Sequence, residues 1–598
     1  MQQKIQQCPA FAKAKAGKQI CQNCKIEFII EPADFDFYEK TKVPSPTWCP
    51  ECRERRRLVF RNVNHLYKRT CNLCGKNIIS RISPDKPYTV YCSKCWWSDQ
   101  WDPLGYGKEY DFSRPFFEQF QELILQTPHV GVFNANNIDS EWVNHETDDK
   151  NCYLNFGGHF NENSAYNDFE MKGKSCFDNY WIWQCELCYE NINCERCWKT
   201  FFSRDCFDCL SAILSSDCRS CQNILGCSGL RNKQYCLFNQ QVSKEEYQKF
   251  INDNPLGSSK KLAGLKQKAY ATWVLTPKKY SQILKCNNAK GCFITESKNV
   301  ENAWYADKSE DSKHLFITAS IKDSYDCSSL GWAESCYEMG HCVGVGSSKF
   351  SAFVLGGGSA EVMGAFNLQY CLATPSTSDC FGCCNLKSKK YCILNKQYTK
   401  EAYEELVPRI IQQMNNLTYI DKKGKTYKYG EFFPIELSPF GYNETNAQDY
   451  YPLTKEQAIS QGFNWSDYDP QIKYEFSNYQ IPDNVQDVQD DILEKTLKCE
   501  ISGKGYKIIP MELQFYRQMN LPIPKRAPLQ RHVDRMAQLL PRKLFKRQCM
   551  RQATQRNSRP SQTHEYGDGA CPNTLETPYS PDRPEIIYCE ACYLKEIA

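Results

Sequence analysis

Cysteine spacing constrains this chain more than any other feature. Of its 36 cysteines, nine fall in 8–95, 22 in 152–392 and five in 499–592, against only eight histidines. The first group reads Cys21-x2-Cys24, 24 residues, Cys49-x2-Cys52, and then Cys71-x2-Cys74, 17 residues, Cys92-x2-Cys95. A CxxC pair puts two thiolates on one tight turn, and two such turns complete a tetrahedron around Zn2+. A closed four-thiolate site leaves no position for a substrate water, so the expected role is structural. In modules this short the metal supplies about 10–16 kcal/mol of folding energy.

The C-terminal end echoes the design. Shifted by 478, Cys21 falls on Cys499, Tyr38 on Tyr516 and FDFYEKTKVPSP on LQFYRQMNLPIP. Cys24, Cys49 and Cys52 fall on Ser502, Ala527 and Gln530, so this copy (498–548) is expected to be a metal-free ribbon held by packing alone. HLYKRTC, ending at Cys71, aligns with KLFKRQC, ending at Cys549; SPDKPYTVYCSKC then matches SPDRPEIIYCEAC at an offset of 497. The last module is expected to use Cys549, Cys571, Cys589 and Cys592. His564 or Asp568, inside the insertion, is the alternative to Cys549, which is preferred for its register and because thiolate suits zinc. The expected total is three structural Zn2+ per chain.

CQNCKIEFIIEPADFDFYEKTKVPSPTWCPECRERRR, with its CxxC, FxF, FY and CPxCR elements, resembles the "probable zinc-ribbon" family. Together with CWWSDQWDP, YCILNKQYTKEAYEEL, EFFPIELSPFGYNET and YSPDRPEIIYCEACY, most of the chain resembles uncharacterised zinc-ribbon proteins of candidate-phyla bacteria. The resemblance implies fold and metal, and no activity. The ligands lost at 502, 527 and 530 depart from it.

The centre is internally repetitive. KNCYL (150–154) matches KGCFI (290–294), ENSAY matches ENAWY, and NKQYCLFNQQVSKEEY returns as SKKYCILNKQYTKEAY. Within the first copy Cys185, Cys197, Cys209 and Cys221 stand twelve apart, as do Cys194, Cys206 and Cys218. Short units that bury a core only when stacked, rich in Ser, Asn, Asp, Gly and aromatics, predict a β-solenoid in two copies. Its cysteines are expected to stack inward as small buried residues; extra zinc at the four consecutive CxxC pairs, or a disulfide ladder, are the alternatives.

The expected class is therefore mainly β with helical connectors, zinc-ribbon modules at both termini flanking a duplicated Cys-rich β-solenoid. The predicted order is a tail (1–18), tandem ribbons (19–110), a helical connector (111–149), solenoid copy 1 (150–254), a connector (255–289), copy 2 (290–409), a helix and loop region (410–497), the metal-free ribbon (498–548) and the last zinc ribbon (549–598). Helices are expected after Ser113, after Ser243 with its Glu246 capping box, and after Thr399. The related end modules are expected to pack around a pseudo-twofold axis.

MQQKIQQCPAFAKAKAGK has lysines but no apolar core of a signal peptide, and no run of about 18 apolar residues occurs, so the expected compartment is the cytoplasm. There, many cysteines point to metal; a secreted, disulfide-stapled repeat is the alternative.

No catalytic constellation stands out. HExxH and GxSxG are absent; GVGSSKF lacks P-loop spacing, and LGGGSAEVMG reads as a turn. His65, His129, His145, His159, His314 and His341 have no partner visible in sequence. The net charge is only +4, but it is unevenly placed. Residues 53–69 carry Arg53, Arg55, Arg56, Arg57, Arg61, Lys68 and Arg69 against Glu54; residues 531–547 carry Arg531, Arg535, Arg542, Lys543, Lys546 and Arg547 against Asp534. With Trp96, Trp97 and Trp101 as stacking platforms, these form a candidate surface for RNA or single-stranded DNA. The competing and preferred expectation is a non-enzymatic scaffold with protein partners on the solenoid face, no membrane and no small-molecule substrate.

Overall fold

The computed structural model describes residues 17–356, 364–468, 475–551 and 570–597. The chain is β-rich, and its centre is built from two parallel ladders with a twelve-residue step. In the first, Tyr180 pairs with Ile192, Leu210 with Gln222 and Gln222 with Gln234. In the second, eleven strands from Ile283–Leu284 to Lys396–Gln397 form one sheet, with Leu315 on Cys327 and Cys327 on Met339. Pairing starts earlier than the visible repeat: Asn134–Ala135 already lies on Glu146–Thr147, a step that carries no cysteine and so leaves no trace in the spacing.

Within a step the local rule is three residues long. Every third residue from Lys172 to Gln184 has φ between 50° and 58°, including Trp181, although a bulky residue rarely adopts the left-handed region. The reversal is stabilised by the ladder. Asp178 donates its N–H to Ala165 in the preceding step, and Phe177 donates to Cys188 in the next, so backbone donors are shared in both directions.

The residue after each left-handed one points inward, four to a step, and the interior is narrow. It admits small side chains, and its polar ones are bonded to the wall. Asn167 Oδ1 accepts from the Asn179 N–H, Asn179 Oδ1 from Asn191 and Asn191 Oδ1 from Ser203. Inward donors reach the carbonyl nine residues on: Asn191 Nδ2 to Thr200, Cys185 Sγ to Cys194 and Cys197 Sγ to Cys206. Cysteine, serine, threonine and asparagine thus perform one task, and Cys176 through Cys227 sit fully buried.

Each ladder ends in an antiparallel hairpin, Gln234–Leu237 on Gln240–Gln241 and Lys390–Ile393 on Lys396–Gln397, which closes its edge. Helices Lys244–Asp253 and Lys400–Asn416 follow, capped by Ser243 and Thr399. Helix Phe116–Gln126 buries Phe117, Phe120 and Leu123.

The terminal modules fold alike and cross over. Helices Pro32–Lys40 and Pro50–Leu58 recur 478 residues later as Pro510–Met519 and Pro528–Met536. The N-terminal pair packs on the second ladder, and its C-terminal copy packs on the first. Phe37 stacks on Tyr325 at 3.8 Å; its equivalent, Phe515, stacks on Phe177 at 4.4 Å. Arg53 meets Asp326 at 2.9 Å, and its equivalent Arg531 meets Asp178, which also holds Arg535 at 2.8 Å. The second modules pair alike with the short strand that precedes a ladder: Val90–Tyr91 with His129–Val130, and Ile587–Tyr588 with Lys278–Lys279.

Two reciprocal contacts join the halves. Glu54 pairs with Arg542 at 2.7 Å, and the Asn64 amide lies 3.1 Å from the His532 ring. At the 478 offset, 532 is the copy of 54 and 542 the copy of 64, so residue i meets j′ while j meets i′. That is the signature of an isologous, twofold contact, here inside one chain.

His532 is held between Asp168 at 2.7 Å and Asp449 at 3.0 Å. Burial pulls its pKa down, but the two carboxylates outweigh this and raise it to about 10. A raised folded-state pKa contributes stability that is fully present below the ordinary 6.5 and is lost as pH climbs through about 10. His532→Gln is therefore expected to destabilise the protein at neutral pH and to shrink its difference from wild type across that window in thermal melts. Asp178→Ala leaves buried Arg535 without a carboxylate and Arg531 with Glu512 alone, and is expected to cost about 3–5 kcal/mol in denaturant unfolding.

Candidate metal centres

Three groups of four cysteines converge, each with its Sγ atoms within 4.8 Å of one another: Cys21, Cys24, Cys49 and Cys52; Cys71, Cys74, Cys92 and Cys95; and Cys549, Cys571, Cys589 and Cys592. Each can hold a metal ion. Local backbone explains the convergence. In each N-terminal group the first CxxC closes a hairpin turn, and the residue after it is left-handed: Lys25 at φ 62° and Gly75 at 74°. The N–H of that residue returns to the first cysteine's carbonyl at 3.0 Å in both. The second CxxC opens a helix, with Cys49 and Cys92 at the N-caps of Pro50–Leu58 and Ser93–Trp97. A helix N-terminus favours the thiolate that metal binding requires.

The sulfurs also receive matching hydrogen bonds. The N–H groups of Cys49, Cys92 and Cys589 each donate at 3.2 Å to the first thiol of their group, on Cys21, Cys71 and Cys549. Asn23 and Asn573 donate to Cys52 and Cys589. Burial pushes the Cys71 thiol up, yet the N–H groups of Cys74 and Cys92 bring it down to about 7. The Asn573 amide and backbone N–H groups do the same for Cys589. Cys549 occupies the position held by Cys71 in the second module, and four thiols are complete without the insertion. His564 and Asp568 lie outside the described residues.

The fourth knuckle keeps its shape with one thiol. Gly503, left-handed at φ 69°, donates to the Cys499 carbonyl at 3.0 Å, and Ser502 donates its N–H to Cys499 Sγ at 3.5 Å. Ala527 and Gln530 stand where the other knuckle needs cysteines. Leu497, Tyr506, Ile508, Phe515, Tyr516 and Ile523 close an apolar core around it.

The ladder cysteines form no further group of this kind among the described residues. Their thiols donate to wall carbonyls in the interior, as the stacking expectation has it, and they are free of disulfides.

The basic segments required correction. Arg53, Arg56 and Arg57 are buried, pairing with Asp326, Glu338 and Glu431 at 2.7–3.1 Å. Arg61 is buried against Ser329 and the ring of Phe169. Arg55 pairs with Glu51, and Arg69 donates to the carbonyls of Ile82 and Tyr88. Arg531 and Arg535 are buried on Asp178; Arg542 is held by Glu54 and lies 3.7 Å from the Phe316 ring centroid. Arg547 reaches the Ser580 carbonyl. Only Lys68, Lys543 and Lys546 of the thirteen stand exposed. The charges recur at the 478 offset because both helices dock on ladder carboxylates, not because both line a surface. Trp96 is buried with Nε1 on the Pro128 carbonyl, and Trp101 bonds the Trp96 carbonyl beneath Lys387; Trp97 alone of the three is exposed.

Sequence reading missed Asp178, Asp326, Glu338 and Glu431, which are 270 or more residues from the arginines they hold. A signal was present: Phe177-Asp178 and Tyr325-Asp326 occupy the same place in the three-residue rule, each Asp left-handed, each following the aromatic that a module stacks on. The histidines have structural partners: His129 the Ile124 carbonyl, His145 the His341 ring, His314 the Asn302 amide and His65 the Asn64 side chain.

Elemental analysis of freshly purified protein is expected to give about three metal ions per chain. The second cluster has the most accessible ligand, Cys74, and packs against Trp96 and Trp101. A strong chelator is therefore expected to empty it first, with a change in tryptophan emission accompanying the first ion lost. Neither protein-family models nor curated proteins give a match to this chain.

Proposed function

We propose that this is a zinc-stabilised, non-enzymatic scaffold, in which clamp modules at both ends fix a duplicated β-solenoid whose uncovered rows dock a protein partner in the cytoplasm. The observation that carries the reading is the direction of the guanidinium groups. A phosphate-binding surface needs cations open to solvent; here Arg53, Arg56, Arg57, Arg531 and Arg535 turn onto carboxylates of the ladders, so the modules serve the architecture. The cleft of about 430 Å³ between helix Pro32–Lys40 and the second ladder fits the same reading, since its lysines Lys40, Lys290 and Lys313 are paired with Asp323, Asp34 and Glu301.

The uncovered rows of the first ladder carry Phe160, Trp183, Trp198 and Leu210, between 38% and 55% exposed. Lys199 lies 4.5 Å over Trp198. Large apolar groups held outward on a rigid lattice favour protein contact, where aromatic anchors dominate binding.

The decisive experiment has two arms. Binding to short RNA, single-stranded DNA and duplex DNA at two salt concentrations is expected to be weak in both. Cross-linking in cells is expected to capture a partner that Trp183→Ala/Trp198→Ala loses. Tight, salt-sensitive nucleic-acid binding that falls when Lys68, Lys543 and Lys546 become Glu would overturn the reading.

A further inference from the structure

The interior of the first ladder poses a chemical question that its fold does not answer. Packing alone does not require cysteine there, because the second ladder fills the same inward rows with Ile294, Leu315, Leu330, Met339 and Val345 among its cysteines. Hydrogen bonding to the wall does not require it either, because Asn191 and Ser203 make the same bond to the carbonyl nine residues on. Yet the apolar positions buried in the first ladder are mostly cysteine, with Ile182, Ala212 and Ile224 among them.

These thiols stack in register. Glu186 pairs with Trp198, Trp198 with Leu210 and Leu210 with Gln222, so Cys185, Cys197, Cys209 and Cys221, one residue before each, line one inward row; Phe207 pairs with Arg219, which sets Cys206 above Cys218 in the next row. All six are 2% exposed or less. Among the described residues, no three of these sulfurs lie within 4.8 Å of one another. A tetrahedral ion such as zinc therefore has no site, whereas an ion content with two ligands has several.

We propose that the sulfur rows of the first ladder are a binding site for the soft monovalent ion Cu(I), held as S–Cu–S links between successive steps. Thiolate ligands with no oxygen or nitrogen among them select soft ions. Adjacent strands stand about 4.7–4.9 Å apart, close to twice a metal–thiolate bond of about 2.3 Å. Charge also balances. Each ion replaces one proton, RSH + Cu+ giving RS–Cu + H+, and where each thiolate is shared by two ions the row holds one Cu+ per RS− and is neutral. No oxidation state changes, and no unpaired charge is buried. Contiguous thiols, rather than isolated pairs, are what such neutrality needs.

The full-length protein, expressed with copper supplementation and purified without oxygen, provides the test, with copper and zinc counted per chain and the thiolate-to-copper charge-transfer band recorded. Several copper ions per chain with zinc undiminished are expected. Cys185→Ser/Cys197→Ser/Cys209→Ser/Cys221→Ser is expected to lower copper roughly twofold and leave zinc alone. Serine already occupies inward positions at Ser203 and Ser215, so this variant keeps the wall bond; should it not fold, Cys197→Ser/Cys209→Ser is judged on the same counts. Copper equal to the zinc it displaces, or copper unchanged in the folded variant, would overturn the proposal.

Discussion

The width of the ladder interior governs this molecule. With one residue in three pointing inward and twelve residues to a step, four side chains share each layer. They are apolar or cysteine, or they are polar groups such as Asn179 and Ser203 bonded within the stack. Everything outward is then free to vary, and the outward rows are where the rest of the protein attaches. Rows ending in Tyr-Asp or Phe-Asp receive the terminal modules; rows facing solvent carry lysine, glutamate and exposed aromatics. The left-handed residue at every third position is the mechanical device behind this division. It turns the chain while letting N–H groups alternate between the preceding and following steps.

On that frame the arginine–carboxylate locks act as positional pins. Removing two charges from water is expensive, and such a pair earns little net stability unless both partners are fully bonded. Asp178 is: it accepts from Arg531 and from Arg535. Glu338 likewise accepts from Arg56 and Arg57. Their value lies in specificity. An apolar helix face could slide by a step along a ladder whose rows repeat, and a buried guanidinium fixes it to one step.

Much of this was legible from the residues. The CxxC spacings led to three clusters because knuckle geometry is local, closed by turns and helix starts that the sequence spells out. The duplication of Pro32–Lys40 as Pro510–Met519 was visible in FYEKTKVPSP and FYRQMNLPIP, since both copies keep the same core contacts. The direction of Arg53, Arg56 and Arg57 was not visible. A run of basic residues on a short helix looks the same whether it faces water or a carboxylate far along the chain, and burial is decided by the tertiary partner. The start of the first ladder at Asn134 was equally hidden, because asparagine and glutamate fill its inward rows before cysteine takes over.

The crossed arrangement has a consequence for synthesis. Arg53 waits for Asp326, 273 residues later in the chain, and at about 5–20 residues per second that interval is tens of seconds. During it the first module has no ladder to rest on, and the first ladder has no module to cover its aromatic row until Phe515 emerges. Local closure through Cys21, Cys24, Cys49 and Cys52 spans only the opening stretch of chain and can be complete as soon as that stretch leaves the ribosome. The cysteine clusters thus act as timekeepers: they hold a finished surface ready for a partner not yet made, and His532 and Arg542, made long after Asn64 and Glu54, tie the two halves together.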